Sequence, residues 1–166
     1  MKNALVIFEL VQHAMQAEAA LQQAGYEIQT VAPSPEVRAG CDLAILIDAT
    51  LQVGIERTLR EFGIPFMGVI FPEIVDLRPL DLLKEFDYGD WMMVRCGNMK
   101  VVFDKHTGII VNVSGGGCSD VPNIARSLMG KKLGEAPTPR SIGYTLCAYT
   151  GDKAYQRALE IWRGMN

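Results

Sequence analysis

The chain has 166 residues, with 16 basic and 19 acidic side chains, a net charge of −3 and a pI near 5.4. It lacks the basic surplus that a general nucleic-acid or anionic-membrane binder needs. Hydrophobic residues make up 49% and charged residues 21%, which supplies a core and argues against disorder. Cys41, Cys96, Cys118 and Cys147, with His13 and His106, are too sparse for a disulfide-stapled secreted scaffold.

Ala4 to Phe8 is a short continuous apolar run, the pattern of a strand buried on both faces. Leu10, Ala14, Ala17, Leu21 and Ala24 follow at helical spacing, and Gly25 suits the position just after a helix. Glu27 to Ala32 and Asp42 to Asp48 read as the second and third strands. Thr50 is placed to cap a helix carrying Val53, Leu59 and Phe62, which Gly63 and Pro65 stop, and Phe66 to Phe71 is a fourth strand. The order β-α-β-β-α-β predicts a small open α/β sheet, either ferredoxin-like or a reduced doubly wound sheet. Strands that follow helices favour parallel neighbours.

Pro72 to Phe86 reads as a connector with a helical portion, since Leu80, Leu83 and Phe86 are spaced for one face. Beyond it, Trp91 to Cys96, Met99 to Phe103 and Ile109 to Val113 are short strands separated by tight-turn residues, an antiparallel meander. Ser119 or Asp120 caps a helix with Pro122 in its first turn. A second helix follows Gly151-Asp152 and uses Ala154, Tyr155, Ala158, Leu159, Ile161 and Trp162. The expected division is an α/β domain over 1–72, a helical connector over 73–87, and an α+β part over 88–166 made of the meander and two helices. No signal-peptide core is read near the N-terminus, and no apolar run reaches the roughly 20 residues of a membrane span, so a cytoplasmic protein with reduced thiols is expected.

The sharpest local feature is Ser114-Gly115-Gly116-Gly117-Cys118-Ser119-Asp120-Val121-Pro122. A strand leads in, glycines let the backbone turn, and a helix starts at once, which makes an anion pocket from Gly115, Gly116, Gly117 and Ser119. The same setting lowers the pKa of Cys118 and favours its thiolate. Neither a Walker ending nor G-x-G-x-x-G is present, so no nucleotide fingerprint is matched. Cys41 ends a Pro-rich loop at the mouth of a strand, with Arg38 near enough in sequence to stabilise an anion. Cys96 and Cys147 read as core thiols. No C-x-x-C pair, Ser-His-Asp set or metal-ligand spacing occurs, so neither a cofactor nor a metal is expected. The scattered aromatics argue against a single-strand nucleic-acid platform. Pro33-Ser34-Pro35 before Cys41 is echoed by Pro137-Thr138-Pro139 before Cys147, each followed by an Arg, Arg38 and Arg140.

Phe8, His13-Ala14-Met15-Gln16-Ala17-Glu18, Leu21, Ala24-Gly25, Pro33-Ser34-Pro35 and Cys41 together resemble a family of small selenium/sulfur-carrier-like domains. The resemblance covers roughly the first 70 residues. It implies a small α/β domain in which Cys41 bears a persulfide or selenide. The leading expectation is therefore a protein that handles a sulfur or selenium group on a reactive cysteine. Cys118 is the choice from residue chemistry and Cys41 the choice from resemblance. Glycine-loop amides and Arg38 or Arg140 would stabilise the anionic adduct, a persulfide or selenide donor would load it, and an acceptor protein would take it. Two other classes stand beside it. One is a non-catalytic module binding a small anion or nucleotide phosphate. The other is a homo-oligomerising subunit whose meander edge pairs with a second copy.

Overall fold

The computed structural model describes residues 3–38, 40–72 and 79–165. The chain divides into two compact units, Met1–Asp81 and Leu82–Asn166. Each has its own sheet of four strands.

In the first unit, β1 (Asn3–Ile7), α1 (Val11–Gln23), β2 (Gln29–Val31), β3 (Ala44–Asp48), α2 (Gln52–Glu61) and β4 (Gly68–Ile70) follow the expected order. The sheet order is β2-β3-β1-β4 and every neighbouring pair is antiparallel, with Val6 opposite both Ile45 and Val69. This is the ferredoxin-like alternative, and it corrects the expectation of parallel neighbours. The helical crossover does return β2 in the direction of β1. However, β3 enters between them, so the two parallel strands never meet. Ala4 to Phe8 are all buried, as their unbroken apolar run requires.

The first helix buries Ala14, Ala17, Ala20 and Leu21, close to the expected stripe, while Leu10 stays exposed. It also buries Glu18, whose carboxylate accepts from the Thr30 hydroxyl at 2.6 Å. The second helix differs more. Asp48, not Thr50, is the cap: its carboxylate accepts from Thr50 N at 2.9 Å and holds a 3-10 turn over Ala49–Leu51 ahead of α2. That turn resets which positions face inward. Ile55, Thr58 and Leu59 are buried, and Val53 is 81% exposed.

In the second unit, β5 (Leu83–Tyr88), β6 (Trp91–Cys96), β7 (Met99–Asp104) and β8 (Ile110–Ser114) form a meander in sequence order. The helical connector expected over 73–87 is corrected at its C-terminal end, where Leu83–Tyr88 is a strand; residues 73–78 lie outside the described residues. Six residues of β5 pair with β6, and this ladder overrides a helical spacing of only three apolar positions. The turns use Gly89, Gly97 and Gly108, all at positive φ.

The inner face of the meander carries Val94, Cys96, Met99, Val101, Phe103 and Ile110. They pack in one core with residues of α3 (Val121–Leu128) and α5 (Leu146–Met165); a short α4 (Pro139–Ile142) precedes α5. The C-terminal helix therefore starts five residues before the Gly151-Asp152 pair that was expected to precede it. Gly151 lies inside the helix. A Cβ there would stand 3.3 Å from Met99 Cε and 3.6 Å from Pro139 Cβ, so the glycine serves close packing and not a helix boundary.

Buried Tyr155 fastens α5 to the preceding loop. Its hydroxyl accepts from Gly134 N at 2.9 Å and donates to Ala136 O at 3.0 Å. Tyr155→Phe leaves both backbone groups without a partner and is expected to cost about 1–3 kcal/mol. Urea unfolding of the full chain checks this, and a loss below about 0.5 kcal/mol would contradict it.

Candidate functional site: a cysteine pair behind the glycine loop

The glycine run leaves β8 and turns back toward the β6–β7 hairpin. Gly115 has φ +95, and a Cβ there would overlap the Asn98 carbonyl oxygen. Gly116 has φ +72, and its Cβ would stand 2.5 Å from Cys147 Sγ and 3.2 Å from Met99 Sδ. Both positions therefore need glycine for conformation and for space. The loop delivers Cys118 to a partly exposed position just ahead of α3, with Val121 N donating to the Cys118 carbonyl at 3.2 Å.

The second thiol arrives on α5. Thr145 caps this helix: its Oγ1 accepts from Ala148 N at 3.2 Å, and Tyr149 N donates to the Thr145 carbonyl at 3.0 Å. Cys147 thus sits in the first helical turn, 7% exposed. Asp120 faces the same point. Its carboxylate accepts from the Thr145 hydroxyl at 2.7 and 2.8 Å and from Thr145 N at 3.3 Å. Asp120 occupies the cap position of α3, but its side chain caps nothing there, because Thr145 claims it. Gly143 keeps the approach open, since a Cβ on it would run into the Asp120 carboxylate.

The two sulfurs hydrogen-bond to one another and divide their roles. Hydrogen bonding with the Cys147 side chain holds the Cys118 pKa below the ordinary cysteine value; the Thr145 side chain and the Cys147 amide act in the same direction, against some desolvation and the nearby Asp120 charge. Burial pushes Cys147 the other way, and the Cys118 sulfur adds to that, although the amides of Cys118 and Gly117 donate to Cys147. The partly exposed thiol is therefore shifted toward acidity and the buried one beneath it away from acidity.

The residues singled out from sequence fall into three groups. Gly115, Gly116 and Gly117 form the turn that leads to Cys118. The amides of Gly117 and Cys118 address the Cys147 sulfur, where an external anion was expected. Ser119 is exposed beside them. Arg140 places its guanidinium 5.8 Å from the Tyr149 ring centroid, with Lys153 Nζ 5.5 Å from the same ring.

Cys41 lies in the first unit and is 1% exposed. Burial raises its pKa; Leu43 N, donating at 3.3 Å, only partly offsets this, and Arg38 is engaged by Asp42 at 2.9 Å. Cys96 is a core thiol, as read from the sequence. The reading missed Cys147, Thr145 and Asp120 as members of the site. Thr145, three residues before Ala148 in a long amphipathic run, is an N-cap signal that places Cys147 in a first turn. Among the described residues, no group of three or more His, Cys, Asp or Glu is arranged to hold a metal ion. Among them, too, no helix is long and apolar enough to cross a membrane.

Residues 3–70 match the family model described as Se/S carrier protein-like. Residues 82–166 match a second model, a domain of unknown function, DUF8182, which begins where the second compact unit begins. The uncharacterized protein MJ0011 of Methanocaldococcus jannaschii is 44% identical over 161 residues, spanning 95% of this chain and 81% of its own. No solved structure matches the chain.

Proposed function

The chain belongs to the DUF8182 family and resembles Se/S carrier proteins over residues 3–70, and from that premise we propose that it carries a sulfur or selenium atom on Cys118. The observation that supports this reading is the accessible, acidified Cys118 thiol, set between the N-terminal ends of α3 and α5. In loading, the Cys118 thiolate attacks the outer sulfur of a persulfide or polysulfide donor, or the outer selenium of a perselenide donor. A bond forms between Cys118 Sγ and that atom, its bond to the donor breaks, and the donor thiolate leaves with the electron pair. The charge on the adduct is favoured by the Cys147 amide and by the two helix ends. An acceptor protein then removes the outer atom by the same exchange.

Resemblance in the first unit points to Cys41 as the carrying position, but its burial and raised pKa oppose thiolate attack. The two sites separate in one experiment. After brief treatment of the full chain with polysulfide, tryptic mass mapping should place the added sulfur on residues 106–126, which contain Cys118. Cys118→Ser should abolish that loading. Undiminished uptake by Cys118→Ser, or added sulfur on residues 39–57 around Cys41, would overturn the assignment.

A further inference from the structure

We propose that Cys147 is a resolving thiol that discharges the chalcogen held on Cys118 as hydrosulfide or hydroselenide and closes a Cys118–Cys147 disulfide. The inference rests on the carrier reading of Cys118 and adds to it a chemical product and a redox cycle.

Three features of the second unit lead to it. First, the two sulfurs are neighbours, joined by a hydrogen bond that bears on the acidity of both. Second, the pair is built into the fold from both sides. Gly116 is stripped of a side chain where Cys147 Sγ would collide with it, and the Thr145 cap and Asp120 fix the start of α5 against the loop. Third, access is unequal. Cys118 is partly exposed and can meet a donor, whereas Cys147 is 7% exposed and packed in the core of the second unit. An exposed attacking thiol over a buried partner is the arrangement that intramolecular resolution requires.

The exchange balances without an external oxidant. In the loaded state, Cys118 Sγ is bonded to an outer sulfur that carries the negative charge. Cys147 Sγ attacks Cys118 Sγ, and the bond from Cys118 Sγ to the outer sulfur breaks. The electron pair leaves on the outer sulfur, which takes the Cys147 proton and departs as hydrosulfide. The outer sulfur is reduced while the two cysteines are oxidised to a disulfide. A dithiol reductant then restores the pair.

Loading itself favours the step. The Cys118 sulfur beside Cys147 helps keep the buried thiol protonated, and loading moves that charge one atom outward. Cys147 then keeps the stabilising amides of Gly117 and Cys118 and its place at a helix N-terminus.

The test uses the full chain loaded with inorganic polysulfide, freed of excess donor and held without added thiol. The wild-type protein should release one hydrosulfide per loaded chain and end two hydrogens lighter than the reduced protein. Its tryptic fragments 106–126 and 141–153 should be joined by a disulfide. Cys147→Ser, and independently Cys147→Ala, should take up sulfur on Cys118, stay one sulfur heavier and release none until a dithiol is added. The linked fragments in the wild-type protein are read without any variant, so a folding defect in one substitution leaves the test decisive. A loaded wild-type chain that keeps its extra sulfur as long as Cys147→Ser does would overturn the resolving role while leaving Cys118 as a carrier. Failure of Cys118 to load at all would remove the carrier reading, and the inference with it.

Discussion

Gly115→Ala is expected to destabilise the second unit by about 3 kcal/mol or more. An L-residue at φ +95 carries roughly 1–2 kcal/mol of backbone strain, and the new Cβ would overlap the carbonyl oxygen of Asn98. That oxygen belongs to the turn between β6 and β7, so relief requires a backbone shift and not a side-chain rotation. Gly116→Ala differs in kind. Its Cβ would meet Cys147 Sγ and Met99 Sδ, both side-chain atoms that can give way, so part of the strain is relieved by driving the two thiols apart. Denaturant unfolding of the full chain should show the larger loss for Gly115→Ala. Thiol titration should show the larger rise in the Cys118 pKa for Gly116→Ala. A Gly115→Ala protein within about 0.5 kcal/mol of the parent would mean that the loop is not held against Asn98.

Alkylation of the native chain should single out Cys118. Its rate is expected to rise with pH around a midpoint below the ordinary cysteine value, because hydrogen bonding with the Cys147 side chain and amide favours the thiolate. Cys41 and Cys96 are buried and must await local opening. An opening that costs about 3 kcal/mol already slows reaction by roughly two orders of magnitude. Cys147 should follow Cys118 only at pH values above the ordinary range. Thr145→Val removes the hydroxyl that holds the Asp120 carboxylate, leaves that charge uncompensated beside Cys118 and should move the Cys118 midpoint upward.

The linkage signs differ between these thiols. Cys118, depressed in the folded state, contributes stability that is present above the unfolded value and lost as pH falls through the folded one. Cys41 and Cys147, raised in the folded state, contribute stability that is present below the unfolded value and lost as pH climbs through the folded one. Mass mapping of iodoacetamide adducts against pH reads all four thiols together. Comparable rates at Cys118 and Cys41 would contradict the division.

Local patterning carried much of the fold. The unbroken run from Ala4 to Phe8 announced a buried central strand, and the Gly97-Asn98 turn announced a hairpin. Where the reading went astray, a local signal was ambiguous and a long-range pairing resolved it. Leu83 and Phe86 suit one face of a helix, but β6 offers a ladder along six residues. Gly151 looks like a helix boundary until Met99 and Pro139 are found packed against it. That single misplacement hid the site, because a helix starting after Gly151 leaves Cys147 in a loop, whereas one starting at Leu146 turns it toward Cys118.

By itself, the sequence determined the β-α-β-β-α-β order, the meander, the glycine loop and the likeness to sulfur and selenium carriers, since all of these rest on neighbours along the chain. Tertiary structure decided which sheet the first unit forms, because the sequence leaves open which strand enters between β1 and β2. It also set the surroundings of each cysteine. A thiol's acidity depends on what surrounds it in space. For Cys118 the nearest influences are Thr145 and Cys147, more than 25 residues away along the chain and in direct contact across the fold.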